Sequence, residues 1–232
     1  MYVPTIYQAE DRTWLRRVVE RYPLATLITN GPEAPYATHL PVIFTPGGTP
    51  ETGAPETGGP ETGGPEGATL LGHMNRSNPH WEALADGVQA QLVFTGPHGY
   101  VTPAVYETTP AAPTWNFVSV HLQGTLRLIP DFEETLNVVR MTVQAYEKEF
   151  GDGWETEGSL DYFRQIGPAV GAFHFDVRSA DGMFKLSQEK DPDVREKVAA
   201  RFGTGGTGRG AELAAFMREF LGTDRGTDRA GA

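Results

Sequence analysis

A long run of alternating side chains near the middle of the chain constrains its fold more than any other feature. Between residues 115 and 129, apolar and polar positions alternate with the period of two that is typical of a β-strand. The apolar positions are Val118, Val120, Leu122, Leu126 and Leu128, and the polar ones are Ser119, His121, Gln123, Thr125 and Arg127. We therefore expect a strand with one face in a core and a row of hydrogen-bonding groups on the other.

Shorter strand patterns lie on both sides of this run. They cover residues 24–29, 36–44, 69–71, 88–94, 100–101, 172–177 and 183–187. Asn30-Gly31 predicts a hairpin between the first two, and Gly96-Pro97 predicts the end of the strand at 88–94. Residues 179–182 predict a turn between the last two strands. Pro41 cannot donate a ladder hydrogen bond, so an edge or a bulge is expected there.

Helical periodicity is concentrated near the ends of the chain and in one long crossover. Helices are predicted at residues 11–22, 132–146, 160–166, 192–202 and 213–221. Asp131 and Glu134 have the spacing of a capping box at the start of the second helix. The stripe expected to pack against the sheet is Phe132, Leu136, Val139, Val143 and Tyr146. Six to eight short strands with such helices predict an α+β fold built on an antiparallel β-barrel.

Three near-copies of a Pro-Glu-Thr-Gly pentapeptide interrupt the chain at residues 50–64. Without large apolar side chains this stretch cannot offset its ordering entropy, so residues 47–67 are predicted to be a flexible surface insertion. The barrel domain is then expected to span residues 1–190. Residues 191–232 would form a helical extension with a frayed tail, its last helix docking against the body or a second subunit.

The composition narrows the possible functions. The chain has 232 residues and a formal net charge of -11, which argues against a broad electrostatic surface for nucleic acid. It has no cysteine, which excludes disulfides and thiolate chemistry. No apolar run reaches membrane-spanning length and no signal pattern opens the chain, so a cytoplasmic protein is expected.

Sequence motifs for catalysis and metal binding are absent. The six histidines show no metal-binding spacing, and no glycine-rich stretch follows a strand and opens a helix as a dinucleotide site requires. A bound cofactor would therefore have to carry any chemistry, with the protein supplying orientation and exclusion of water.

The stretch at residues 69–81 predicts a site for an anion. A strand is followed by a turn at Asn75 to Ser77 and by a helix that Asn78 and Pro79 would open as N-cap and first residue. The unpaired amides of the first helical turn, with Arg76 beside them, are expected to bind a phosphate-sized anion. Trp115 and Asn116, an aromatic beside a polar row, suit a flat hydrogen-bonding ligand.

Six short motifs, in order along the chain, resemble the PaiB family of FMN-binding negative transcriptional regulators. They are residues 1–4 (MYVP), 37–41 (ATHLP), 72–81 (GHMNRSNPHW), 96–103 (GPHGYVTP), 113–117 (PTWNF) and 184–188 (FKLSQ). That family is similar in fold to the pyridoxamine-phosphate-oxidase-like split barrels, which are homodimers with FMN at the subunit interface. The resemblance implies a split barrel, FMN as cofactor and a homodimer.

The resemblance also implies a set of cofactor-binding residues. Asn75, Arg76 and Ser77 would grip the FMN phosphate. Thr38 and His39 would lie along the ring system, joined by Trp115, Asn116 and His121 from the long strand. Lys185, Ser187 and Gln188 would close the site, from the same or the other subunit. Glu189 stands where the family carries an asparagine, which weakens the case for anion binding at that end.

Other functions remain open from the sequence. The same scaffold supports flavin reductases and pyridoxamine-phosphate oxidases, and it also hosts haem-degrading proteins, for which His39, His121 or His174 would be the axial ligand. A cofactor-free interaction module, with the Asn75 to Ser77 turn purely structural, is a third class.

Overall fold

The computed structural model describes residues 1–45, 63–205 and 208–223. The strands are β1 (Leu24–Thr29), β2 (Tyr36–Phe44), β3 (Thr69–Asn75), β4 (Val88–Val101), β5 (Thr114–Ile129) and β6 (Val170–Lys185). The helices are α1 (Thr13–Arg21), α2 (Pro79–Ala83), α3 (Phe132–Phe150), α4 (Leu160–Ile166), α5 (Pro192–Thr204) and α6 (Gly208–Thr223). Most of the predicted insertion, residues 46–62, and the predicted frayed tail from residue 224 lie outside the described residues.

The strands close into an antiparallel barrel in the order β1-β2-β3-β6-β5-β4, with β4 pairing back onto β1. The alternation that predicted β5 is confirmed, since Val118, Val120, Leu122 and Leu126 have no solvent-exposed surface. They pack with apolar side chains of the other strands in one large core. The predicted α+β barrel is thus present.

The barrel wall opens between β2 and β3. These strands pair only from Val42 to Phe44, and the earlier residues of β2 have no ladder to β3. The pairing begins directly after Pro41, which cannot donate to a ladder, so the predicted edge at this proline is confirmed. The gap leaves room for α2 at this end of the barrel.

Two predicted breaks are instead bulges inside longer strands. β4 runs through Gly96 and Pro97, where the register with β5 shifts between Thr95 and His98. A bulge accommodates a proline because the extra residue does not need to donate a ladder bond. The predicted end of the strand at Gly96-Pro97 was therefore wrong.

The predicted turn at residues 179–182 was also wrong, because β6 continues through it. The register with β5 shifts between Gln123 and Gly124, so that Arg178 is the extra residue. Pairing with β5 on both sides of the bulge outweighs the local turn preference of this segment. The hairpin between β1 and β2 is confirmed, although its connection runs from residue 30 to 35.

The described helices cover part of the barrel. The side chain of Asp131 accepts from the amide of Glu134 (2.8 Å), as its predicted capping role requires. The buried side chains of α3 are Thr135, Leu136, Val138 and Thr142. Only Leu136 of the predicted stripe is among them, and Phe132 is exposed. The helix covers the outer sides of β3 and β6, with Val138 against Leu71 and Ala172.

The last helix packs into the main core. Phe220 of α6 stacks on Phe184 (ring centroids 4.8 Å apart) and meets Trp14 of α1 edge-on (5.1 Å). The expectation that this helix docks against the body is confirmed. Among the described residues, no helix is both long and apolar enough to span a membrane.

Candidate functional site

The turn after β3 has the predicted cap. The Asn78 side chain accepts a hydrogen bond from the amide of His80 (2.9 Å), and Pro79 is the first residue of α2. Asn78 also donates through Nδ2 to Thr38 Oγ1 (3.2 Å), so Thr38 of β2 lies beside the turn. The structure therefore brings Thr38, Asn75, Arg76 and Ser77 together, and we call these four residues the corner.

The backbone amides of the corner are not free to bind an anion. Ser77 N donates to Asn75 Oδ1 (2.8 Å), and Arg76 N donates to the carbonyl of Ala169 (2.8 Å). Asn78 N donates to the carbonyl of Asn75 (3.0 Å). The prediction of unpaired amides in the first helical turn was wrong. The amide of His80 donates to the side chain of Asn78 (2.9 Å). The amides of Trp81 and Glu82 donate to the Asn78 carbonyl (2.8 and 3.3 Å). An anion here would have to bind side chains.

Arg76 supplies the cationic group of the corner. Its Nε donates to the carbonyl of Val170 (2.8 Å), and its guanidinium carbon lies 5.3 Å from the ring centroid of Trp81. The residue is exposed, and no carboxylate of the described residues lies within ion-pair distance of it. Its two terminal nitrogens thus remain available for a bidentate anion, the geometry that guanidinium groups favour.

His39 and His121 lie on the outer wall of the barrel, in one cross-strand row. Thr26 pairs with both His39 and Val93, and Val93 pairs with His121. His39 Nδ1 is 2.9 Å from Thr26 Oγ1, and His121 Nδ1 is 2.9 Å from Gln91 Nε2. Burial, and secondarily the nearby terminal amine, lowers the pKa of His121. The His121 imidazole is therefore uncharged at neutral pH.

The remaining predicted residues meet at the far end of β5 and β6. Lys185 Nζ donates to Thr114 Oγ1 (2.6 Å), beside the exposed Trp115. Asn116, Ser187 and Gln188 are buried, and their side chains are hydrogen-bonded inside the chain. Their role as cofactor contacts stays a prediction, and what they do in this structure is hold the segment after β6.

Three ring side chains lie beside Trp115 and were not predicted as site residues from the sequence. They are His98, Tyr100 and Phe117. Tyr100 pairs with Trp115 across the ladder, and His98 pairs with Phe117. Trp115 and Tyr100 are 53% and 52% exposed, and their rings meet edge-on at 6.0 Å. The bulge at Gly96-Pro97 hid this arrangement, since it places residues 98 and 100 on the outer face despite their even numbers. We call His98, Tyr100, Trp115 and Phe117 the aromatic platform.

The corner and the aromatic platform lie near opposite ends of β6. Asn75 pairs with Val170 at the start of that strand, whereas Phe117 pairs with Lys185 at its end. At about 3.3 Å per residue the path along the strand between them is roughly 50 Å, so the two groups of residues lie at opposite ends of the barrel wall. A cavity of about 1190 Å³ lies elsewhere, between α1 and α3, and none of the predicted site residues lines it.

The described residues contain no cluster of three or more His, Asp or Glu side chains placed to hold a metal ion.

Comparison with known sequences then defines the family. Residues 1–179 match the family described as "Putative FMN-binding domain". The chain belongs to this FMN-binding family. FMN, the predicted cofactor, is the ligand for which the family is described, and the predicted split-barrel fold is confirmed.

Individual relatives cover most of the chain. "Protease synthase and sporulation protein PAI 2" of Bacillus subtilis is 23% identical over 193 residues, 82% of this chain and 84% of the relative. This match confirms the resemblance to the PaiB family. An uncharacterised protein of Emericella nidulans is 26% identical over 254 residues, 94% of this chain and 97% of the relative.

A solved structure shows the same fold. It is described as the FAD and heme binding protein of Mycobacterium smegmatis, with a TM-score of 0.52 and 19% sequence identity. The alignment covers 84% of this chain and 80% of that one. At this identity the likeness concerns the fold alone.

Proposed function

We propose that this chain is a homodimeric FMN-binding protein whose cofactor site is completed by a second copy. The observation that carries the proposal is the separation of the corner from the aromatic platform along β6. Residues that suit the phosphate and residues that suit the ring system lie at opposite ends of one strand, which favours a site shared between two chains. An antiparallel arrangement of two barrels would bring the corner of each subunit to the platform of the other.

The corner fits the phosphate of FMN through its side chains. Arg76 has no carboxylate partner among the described residues, and the side chains of Asn75 and Ser77 are exposed beside it. A guanidinium and neutral hydrogen-bonding groups are the chemistry that phosphate oxygens favour. FMN would supply electron-transfer chemistry, and the corner would hold and orient it.

The platform fits the flat ring system. Trp115 and Tyr100 offer exposed aromatic surface, and Lys185 lies nearby with a neutral hydroxyl as its hydrogen-bond partner. Aromatic faces with a polar edge suit a planar heterocycle. In the proposed dimer these groups come from the subunit opposite the corner, together with His39 and His121 on the wall between.

The outer wall of β1, β4 and β5 supports a dimer interface. Leu24 is 64% exposed on this wall, and Ile28, Val93 and Phe117 are only half-buried. The long helix α3 covers β3 and β6 instead, and α6 packs on the inner side of β4 at Gly99. These apolar side chains lie among the polar Thr26, His39 and His121, and interfaces between protein chains commonly have such a mixed surface.

For the biological role, we propose negative regulation through a protein partner. The support is the PaiB resemblance and the relative named for protease synthesis and sporulation. A net charge of -11 disfavours direct contact with DNA. The FMN-loaded protein is expected not to retard duplex DNA at physiological salt. Steady oxidation of NAD(P)H by the bound flavin would instead identify an oxidoreductase.

The cofactor site is tested with purified protein and Arg76→Ala. The wild type should be yellow or bind added FMN, with quenching of flavin fluorescence and a raised melting temperature. Arg76→Ala should weaken binding roughly tenfold or more, the usual effect of losing a charge-assisted hydrogen bond. Arg140→Ala, at an exposed position of α3, is the matched control and should bind normally. Colourless protein that FMN does not stabilise would refute the proposal, as would equal behaviour of the two variants.

A further inference from the structure

A buried histidine that the cofactor prediction did not include lies directly behind the corner. His80 is 1% exposed and packs at the end of the barrel against β1 and β2. Its Nε2 is 2.8 Å from Thr29 Oγ1, and its Nδ1 is 2.9 Å from Thr38 Oγ1. The ring stacks on Tyr36 with centroids 5.2 Å apart. Both ring nitrogens and one ring face are therefore held.

His80 and the corner share a closed hydrogen-bonded circuit. The amide of His80 donates to Asn78 Oδ1 (2.9 Å), Asn78 Nδ2 donates to Thr38 Oγ1 (3.2 Å), and Thr38 Oγ1 bonds the His80 ring. Asn78 is tied in turn to Asn75 through its own amide. A displacement of the His80 ring on the Thr38 side is thus transmitted to the Asn75 to Ser77 turn.

The circuit suits a neutral imidazole. In the neutral ring one nitrogen donates and the other accepts, so one threonine hydroxyl accepts from it and the other donates to it. Burial lowers the pKa of His80, which keeps the ring neutral near pH 7. Every polar atom of the ring then has a partner without an uncompensated buried charge.

We infer that His80 is a positioning residue for the cofactor corner, acting through Thr38 and Asn78 without touching the ligand. The inference rests on the proposed function, because it assigns the corner to the FMN phosphate. The bond to Thr38 carries the effect. The bond to Thr29 on β1 stabilises the barrel end but is not part of the circuit.

Two substitutions separate these bonds. The side-chain amide of His80→Asn lies where Nδ1 lies and keeps the link to Thr38. The longer side chain of His80→Gln reaches the position of Nε2 and keeps the link to Thr29. Each variant loses one bond and the Tyr36 stack, so both should lose similar stability. Only the Gln variant should weaken FMN binding, by roughly tenfold, as the loss of one buried hydrogen bond predicts.

The same pair is compared by amide hydrogen exchange without FMN. In His80→Gln, exchange at Ser77, Asn78 and Trp81 should rise roughly tenfold relative to His80→Asn. Equal FMN affinities and equal exchange in the two variants would reduce His80 to a packing residue and overturn the inference. If the wild type binds no FMN, the proposed function fails, and the exchange comparison still decides whether His80 positions the corner.

Discussion

The side-chain amide of Asn116 donates to the hydroxyl of Ser187 over 2.9 Å, and that hydroxyl returns a hydrogen bond to Asn116 Oδ1 over 3.1 Å. Both residues are buried, and Ser187 has a left-handed backbone (φ 66°). The pair ties the start of β5 to the segment that follows β6. It therefore fixes the segment after β6 beside the strand that carries Trp115 and Phe117.

Replacing Asn116 should be costly because it leaves the Ser187 hydroxyl buried without this partner. Asn116→Ala is expected to lower the free energy of unfolding by about 1–3 kcal/mol, measured by urea denaturation. Asn137→Ala, at an exposed position of α3, is the control and should change it by less than about 0.5 kcal/mol. Equal losses in the two variants would contradict the importance of the buried pair.

Gly171 should tolerate no side chain, because Trp81 packs directly on it. A Cβ at this position would lie 2.5 Å from Cη2 of Trp81 and closer to two further ring atoms. Gly171→Ala is expected to destabilise the fold by about 1–3 kcal/mol. It should also weaken FMN binding, because the guanidinium group of Arg76 lies over the Trp81 ring. Gly158→Ala has open space around the added methyl group and should be nearly neutral in thermal melts and FMN titrations. A neutral Gly171→Ala would show that Trp81 can move freely.

The proposed dimer depends on the outer wall that carries Leu24. Leu24→Arg places a charge on this wall without disturbing the core, so it should convert a dimer into a monomer in sedimentation velocity. Tyr162 on α4 has a similar exposure, 59% against 64%, but lies off the wall. Tyr162→Arg should therefore remain dimeric. Persistence of the dimer in Leu24→Arg would place the interface elsewhere.

Stability should depend on pH through the buried His80. Its pKa is lowered by burial, so below the ordinary value of about 6.5 the unfolded chain takes up a proton that the folded chain does not. The free energy of unfolding should therefore fall as the pH drops from 7 towards 5. One such histidine contributes at most about 1.4 kcal/mol per pH unit. In His80→Asn the free energy of unfolding should fall less steeply with decreasing pH, by that contribution. Parallel curves of unfolding free energy against pH for wild type and variant would refute this role of His80.

Turn signals were less reliable than strand and cap signals. Gly96-Pro97 and residues 179–182 carry strong local turn preferences, yet both lie inside strands because β5 pairs on either side of them. The Asn78 cap was predictable because it depends on neighbours two residues away. The pairing of the Arg76 amide was not, since its acceptor is the carbonyl of the distant Ala169.

The sequence by itself determined the barrel class, the long strand β5, the capped start of α2 and the family with its flavin cofactor. The first three follow from patterns of neighbouring residues, which report local backbone preference and a buried face. The family and its cofactor follow from the resemblance of six short motifs to a known family. Only the tertiary structure decided the opening between β2 and β3, the circuit around His80 and the distance between the corner and the aromatic platform. The physical reason is that strand pairing and register join residues far apart in the chain, and no local pattern specifies which groups they bring together.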